Sequence, residues 1–400
     1  MKSSSTPFER RGWLSSVLSW RIAWWRVDWH ILALALFLLA FGLFVVRAIS
    51  ISDDEFSRPN PVNFAGHLQK VFVALPMLVV GLTLRPRWLR RNAWTIYVAT
   101  IVLLLLVPAI GEERNNARRW IPIPGVGFDL QPSELAKLGL IVVLARVLYT
   151  SRLTRWRDWR LPVFVALLPM GLVVLQPDLG TAMAMAPVSV GMFYVAGAPA
   201  RRIVGIALGV ALAAVLAYQM EWFRDYQMQR VDTWLGSVSA QQLIDDRNGA
   251  GFHTYHARVA IGNGGWWGRG LGNGVANEAG HLPERDCDSI FAVIAEEAGF
   301  FGASGLLLLY ALFVVLLLWS ASQIRERFSR LVVAGIGLHF GAHAFVNIGV
   351  NLGLTPMTGL PLPLFSTGGS SMLATFAAIG LALGLAAQRE ATLDEDAFRD

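Results

Sequence analysis

The sequence predicts an all-α, polytopic integral membrane protein of about ten transmembrane helices, with one large extracytoplasmic loop between the seventh and eighth. Three observations lead there. Of 400 residues, 54% are hydrophobic and only 16% are charged, whereas a soluble domain carries about a quarter charged residues. Apolar runs of about 20 residues recur along the chain, long enough to cross roughly 30 Å of hydrocarbon. The basic residues sit in short connections between those runs. The net charge of +6 therefore reads as loop charge at a membrane surface, and no nucleic acid partner is implied.

The spans fall at approximately 29–47, 64–83, 93–110, 133–149, 161–176, 180–197, 202–219, 300–320, 330–350 and 368–387. Lys2, Arg10, Arg11, Arg21 and Arg26 precede the first span. Arg85, Arg87, Arg90 and Arg91 follow the second, and Arg152, Arg155, Arg157 and Arg160 follow the fourth. Arg201 and Arg202 follow the sixth, and Arg325, Arg327 and Arg330 follow the eighth. Every second connection is basic, while 177–179 and 351–367 hold no Lys or Arg. The positive-inside rule then places both termini in the cytoplasm, and an even span count agrees. No small-residue cleavage site follows the run Ile31–Val46, so it reads as a retained helix. The expected organisation is a cytoplasmic segment 1–28, a membrane unit 29–387 containing the loop 220–288, and a cytoplasmic tail 388–400.

The loop ends in LPERDCDSIFAVIAEEAGFFG, 282–302, which gathers acids in a charge-poor chain. Asp286-Cys287-Asp288 is a D-x-D, a spacing that can bring two carboxylates onto one divalent cation. The plain reading is a solvated loop end in which Asp288 caps the helix that follows. The functional reading is a general base at the lipid–water boundary, where desolvation raises a carboxylate's proton affinity. Glu296 and Glu297 lie near membrane depth, where ionisable groups face protein, partners or a watery cavity. Glu134 and Lys137 are neighbours on one helix face. They form either a structural ion pair or a cation offered to a phosphate, with Arg118 and Arg119 nearby to extend such an anion site.

Other constellations are weaker. His339 and His343 have metal spacing but no third ligand nearby, so they read as neutral histidines packed between helices. Cys287 is the only cysteine, which forbids an intramolecular disulfide, and no histidine is placed by sequence to activate it. IGNGGWWGRGLGNG, 261–274, never completes a dinucleotide loop. Its glycines suit close approach to a lipid head group or sugar, with Trp266 and Trp267 at the interface. LTPMTGLPLPLFSTGGSSM, 354–372, cannot be a regular helix and reads as a re-entrant element bordering an outer cavity.

Five ordered segments together resemble the SEDS family (RodA/FtsW/SpoVE). They are ARRWIPIPGVGFDLQPSELAKLGL at 117–140, QPDLGTA at 176–182, DYQMQRV at 225–231, the acidic 282–302 stretch and PMTGLPLPLFSTGGSS at 356–371. The G-L-P-L-P form leans towards the RodA, elongation side. The resemblance implies ten helices and an inverting glycosyltransferase in the bacterial cytoplasmic membrane. Its substrate would be lipid II, the undecaprenyl-pyrophosphate-linked disaccharide-pentapeptide. Motif position puts the essential acid on Asp288, and the candidates for a substrate or pyrophosphate site are Arg119, Lys137, Glu134, Asp178, Arg230, Glu297 and Ser370. A divalent cation, Mg2+ or Mn2+, on Asp286 and Asp288 is a further expectation. The implied partners are a class B penicillin-binding protein transpeptidase and other elongation-complex membrane proteins. The chain departs from the family pattern at Asp286, Cys287 and Ser289 around the acid, and at Thr367, His256 and His343. A lipid II flippase, or a scaffold without catalysis, are the rival readings; a transporter would spread polar residues through its spans.

Overall fold

The computed structural model describes residues 24–55, 62–114, 117–122, 129–151, 153–220, 225–275, 282 and 284–388. The expected terminal segments fall outside these residues, apart from 24–28 and Gln388. A helix stands at each of the ten expected spans. They are α1 (Trp29–Glu55), α2 (Phe64–Thr83), α3 (Pro86–Ile110), α4 (Pro132–Thr150), α5 (Arg160–Leu175), α6 (Leu179–Val195) and α7 (Ala200–Gln219). The large loop contributes α8 (Asp225–Gly236), α9 (Ala240–Asp245) and α10 (Phe252–Asn263). The bundle finishes with α11 (Ile290–Gln323), α12 (Arg327–Leu352) and α13 (Gly369–Ala387). Among the described residues seven helices are long and apolar enough to cross a membrane. The α6 helix is apolar but shorter. One hairpin, β1 (Glu112–Arg114) with β2 (Ala117–Trp120), joins α3 to α4.

Burial separates centre from periphery. The most apolar windows of α12 and α13 are 83% and 89% buried inside the protein, against 28% for α2, α3 and α11. The outer helices thus turn much of their apolar surface outward, as lipid solvation allows. Helices α2 and α13 lie unusually close, because small residues sit at their crossing. A Cβ on Gly380 would stand 2.1 Å from the Leu78 carbonyl oxygen, and one on Gly384 would stand 2.4 Å from that of Leu82. This is the close backbone approach that small residues give membrane helices.

Bonds at the two ends fix the alternation of the chain. At one end Arg90 pairs with Glu326 at 3.1 Å. Arg327 donates to the carbonyls of Ser151 and Ala196 at 2.9 and 3.1 Å, and Arg202 to that of Leu153 at 3.0 Å. The basic connections after α2, α4, α6 and α11 therefore meet on one face of the bundle. The acidic stretch, the hairpin and the 353–368 segment meet on the other.

The eighth helix begins at Ile290, ten residues before the expected span, and it breaks at Gly299, where φ is +69°. A break leaves backbone groups without helical partners, which hydrocarbon cannot supply. The glycine-rich loop supplies them. Arg269 and Gly270 amides donate to the Glu296 and Glu297 carbonyls at 3.1 and 3.0 Å, and Phe300 and Phe301 amides donate to the Gly265 and Trp266 carbonyls at 2.8 and 3.3 Å. Of the glycines expected to admit a lipid head group or sugar, Gly264 and Gly268 instead admit the backbone of α11. A Cβ on Gly268 would stand 2.1 Å from the Glu297 oxygen. Trp266 and Trp267 are exposed and pack on Phe300 and Phe301. We expect Gly268→Ala, at φ +80°, to cost at least about 1–2 kcal/mol from the left-handed conformation alone. Gly262→Ala, with open space around its Cβ, should be neutral or gain about 0.4–1 kcal/mol. Thermal unfolding of the detergent-solubilised chain distinguishes the two.

Candidate active site

The acidic stretch reverses in a turn over Glu284–Asp288. Glu284 adopts φ +45°, and its carbonyl accepts the amides of Cys287, Asp288 and Ser289 at 2.9, 3.0 and 3.2 Å. The N-cap position of α11 is Ser289, and no side chain caps the helix. The expected capping role of Asp288 is therefore corrected, and its carboxylate is directed elsewhere.

The residues around Asp288 are tied to four other parts of the chain. Arg285 forms a buried ion pair with Asp53 of α1 at 2.6 Å, and Asp53 also accepts the Val62 amide at 2.8 Å. The Thr367 hydroxyl donates to Asp286 at 2.5 Å, and the Thr367 amide donates to the Asp286 carbonyl at 3.1 Å. Ser366 donates to the Cys287 carbonyl at 3.0 Å. Ser289 lies 3.0 Å from Nε2 of His253 on α10. Asn347 and Asn351 of α12 both donate to the Asp288 carbonyl, at 3.0 and 2.9 Å. Gly359 lies beside the carboxylate, where an added Cβ would stand 3.4 Å from Oδ2.

These surroundings set the proton affinity. Asp288 is pushed from its ordinary 3.8 up to about 7, first by burial, then by the negative charges of Glu284 and Asp286, with a smaller push from Asp178. Arg230 opposes the rise. A carboxylate that titrates near neutrality is well matched to taking a proton at neutral pH. Its neighbour is not activated: burial, then Asp286 and Asp288, push the Cys287 thiol above its usual range, which leaves it a poor nucleophile. Burial lowers His253 to about 4, so it is neutral.

The other expected residues divide into two groups. Asp178 caps α6 by accepting from the Thr181 amide at 3.3 Å. It also accepts from Thr181 Oγ1 at 2.9 Å, from Gln131 at 3.2 Å and from Ser133 at 3.3 Å. Arg119 approaches Asp178 at 3.9 Å and donates to the carbonyls of Gln176 and Pro177. Ser370 donates to the Asp129 carbonyl and accepts the Gln131 amide, both within 2.9 Å. Arg230, on α8, reaches the Met357 carbonyl at 3.3 Å. Asp288, Asp286, Arg230, Asp178, Arg119 and Ser370 thus surround one end of the bundle. Glu134 and Lys137 lie deeper, 3% and 2% exposed, with Lys137 Nζ 2.7 Å from Glu134 and 2.9 Å from His343 Nε2. That geometry favours the structural ion pair. His339 and His343 pack ring to ring at 4.4 Å, as histidines buried between helices. Glu297 is buried beside the break, its carbonyl accepting from Gly270.

For a metal, the described residues that come together are Glu284, Asp286 and Cys287, with ligand atoms within 4.8 Å of one another. Asp288, expected as the partner of Asp286, is not in that group. A separate cavity of about 600 Å³ lies within the large loop, lined by Asp225, Asp232, Thr233, Gln242 and Asp246 among others, and Asp288 is not in its wall. Sequence reading missed Asn347, Asn351, His253 and Asp53, all of which act on the turn through contacts distant in sequence.

With the geometry in place, comparison is informative. A family model described as cell cycle protein, covering FtsW, RodA and SpoVE, matches residues 28–391. The chain belongs to this family. It is 35% identical over 373 residues to the "Probable peptidoglycan glycosyltransferase FtsW" of Halomonas elongata, covering 89% of each chain. It is 32% identical over 369 residues to the peptidoglycan glycosyltransferase MrdB of Escherichia coli, covering 91% of this chain and 94% of that one. A solved chain from a peptidoglycan synthase complex that coordinates polymerization and crosslinking superposes with a TM-score of 0.77 at 32% identity, covering 91% of this chain and 98% of the other. The family match spans all ten membrane helices of this SEDS chain.

The charge state of Asp288 has a measurable effect on stability. Between its ordinary 3.8 and about 7 the folded chain holds a proton that the unfolded chain releases. Asp288 therefore favours folding at low pH, and that benefit is lost as pH rises through the window. Asp288→Asn should leave the melting temperature unchanged below about pH 4. It should raise it at pH 8, where the wild type must hold a buried, crowded carboxylate. Melting curves at the two pH values check this.

Proposed function

We infer that this chain is an inverting glycosyltransferase that polymerises lipid II into β-1,4 glycan strands at the outer face of the bacterial cytoplasmic membrane, with Asp288 as general base. The supporting observation is a carboxylate raised to about 7, on a turn tied to α1, α10, α12 and the 353–368 segment. In the reaction Asp288 removes the proton from the 4-hydroxyl of the acceptor sugar as its oxygen attacks the anomeric carbon of the growing strand. The bond from that carbon to the lipid pyrophosphate breaks with inversion, and the pyrophosphate leaves with the electron pair. Departing charge calls for cations held ready. Arg119 and Arg230 flank the acids and are assigned that role, with Ser370 and Asp178 holding the walls between them. Lys137, turned onto Glu134 and His343, and Glu297 at the break, support the site from within.

A divalent cation, when bound, adds charge neutralisation at the pyrophosphate. Glu284 and Asp286 supply oxygen ligands of the kind that Mg2+ prefers, while the protonated Cys287 thiol fits such an ion poorly. The large loop is assigned to the extracytoplasmic side and both termini to the cytoplasm, on the positive connections that meet at the opposite face. A class B penicillin-binding protein is the proposed transpeptidase partner within the elongation complex, and the G-L-P-L-P segment supports the elongation branch.

The test is polymerisation of purified lipid II by the full chain with its transpeptidase partner, with products resolved on a gel. Long strands are expected, and Asp288→Asn should reduce their formation by roughly 10²–10⁴-fold, the usual contribution of a general base. Absence of strands from the wild type, with lipid II still crossing liposome bilayers, would replace this reading with a transporter. A second outcome concerns pH: the rate should rise as pH passes through about 7 and the base deprotonates.

A further inference from the structure

Two asparagines on α12 have no part in the reaction as described, yet both are directed at the catalytic turn. Asn347 and Asn351 are 1% and 0% exposed. Four residues apart, they share one helix face. A buried primary amide is costly unless its hydrogens are used, and here all four are. Asn347 Nδ2 donates to the Asp288 carbonyl at 3.0 Å and to the Leu360 carbonyl at 2.8 Å. Asn351 Nδ2 donates to the Asp288 carbonyl at 2.9 Å and to the Asn347 carbonyl at 2.9 Å. Every partner is a carbonyl oxygen, which can only accept, so the amide orientation is forced.

The Asp288 carbonyl is an unusual recipient. The helical ladder of α11 starts one residue later, with the Val293 amide donating to the Ser289 carbonyl. Asp288 therefore stands just outside its own helix, and both lone pairs of its carbonyl are taken by side chains of another. Its backbone is positioned by α12. The same Asn347 amide holds Leu360, the residue after Gly359, and Gly359 lies beside the Asp288 carboxylate, where an added Cβ would stand 3.4 Å from Oδ2. One pair of amides thus sets the turn and the proline-rich segment in register.

We propose that Asn347 and Asn351 are positioning residues that clamp the Asp288 backbone against the 353–368 segment and so hold its carboxylate in the enclosed, acid-lined position from which it acts. The proposal deepens the general-base reading and rests on it for its effect on rate. Because both amides share one acceptor, loss of either leaves a weakened clamp, and loss of both removes it.

The test uses Asn347→Leu, Asn351→Leu and the double variant in the full chain with its transpeptidase partner. Leucine keeps the volume and removes the donor. Small displacements of a catalytic group cost up to about 10²-fold in rate. We expect kcat to fall roughly 10-fold in each single variant and about 100-fold in the double, with KM for lipid II nearly unchanged. The second readout is independent of activity. Cys287, the only cysteine in the chain, adjoins Asp288 and lies 3.1 Å from the Thr367 hydroxyl. It should react at least several-fold faster with a maleimide in the double variant while the melting curve remains cooperative. If a leucine variant does not fold, Asn→Ser at the same positions, with one shorter donor, carries the same comparison. Folded variants with unmoved kcat and unmoved Cys287 labelling overturn the proposal. If instead Asp288→Asn polymerises normally, the general-base reading fails, while the labelling result still decides whether the clamp exists.

Discussion

Hydrocarbon offers a backbone amide or carbonyl nothing to bond with, and this constraint organises the molecule. A bundle of unbroken helices would meet it trivially. Among the described residues the chain departs from helix at two places inside the bundle, the break at Gly299 and the segment 353–368. Each departure is answered by another part of the protein. The glycine-rich loop answers the first with amides and carbonyls of its own. The second is answered by burial of Leu360, Leu362, Leu364 and Phe365 and by the Asn347 side chain of α12, which donates to the Leu360 carbonyl. Both answers lead to the turn at Glu284–Asp288. Irregular backbone at membrane depth persists where it is enclosed by protein or borders a cavity, and here it encloses a carboxylate.

The electrostatics of that enclosure separate two needs. A base that works at neutral pH must bind its proton more tightly than an ordinary carboxylate, and burial first, then the charges of Glu284 and Asp286 with a smaller push from Asp178, achieves this. A leaving pyrophosphate needs the opposite sign. The cations lie at the margin: Arg230 faces the Met357 carbonyl, and Arg119 faces the carbonyls of Gln176 and Pro177. Arg119 is attached to the acids through Asp178 at 3.9 Å, too far for a tight ion pair. Its guanidinium is therefore tethered to the wall while its charge is only partly offset. Negative interior and positive rim form a gradient along which proton uptake and departure of the diphosphate need not compete.

Much of this was legible in the sequence, for a definite reason. Ten helices followed from apolar length, and the charged edge followed from acids clustering where spans begin. Both are local signals. The eighth span was read from Phe300 onward, with a separate helix capped at Asp288 ahead of it that carries Glu296 and Glu297. Their burial at 0% and 1% depends on contacts with α10 and the glycine-rich loop, remote in sequence. The role of Gly264 and Gly268 was misread on the same ground, since a glycine shows that something approaches closely but not what. Asn347 and Asn351 carried no local signal, because an asparagine in an apolar helix does not name its partner. The capping role given to Asp288 failed by one residue: Ser289 took the N-cap position, which left the carboxylate to the site.

The departures from the family pattern around Asp288 become intelligible when main chain and side chain are considered separately. The bonds that hold the turn in place run largely to its backbone: Thr367 to the Asp286 carbonyl, Ser366 to the Cys287 carbonyl, and both asparagines to the Asp288 carbonyl. None of these depends on which side chains positions 286 and 287 carry. The side chains then only have to satisfy one another. A short Thr367 leaves room for Asp286 and Cys287, and its hydroxyl contacts both, at 2.5 and 3.1 Å. Ser289 finds His253 in the same manner at 3.0 Å. Geometry at the carboxylate is thus fixed largely through the backbone, while its proton affinity, raised first by burial, is raised further by the acids beside it. Asp286 adds a negative charge at close range, so this chain's base is tuned upward by a residue whose own carboxylate is held by the Thr367 hydroxyl.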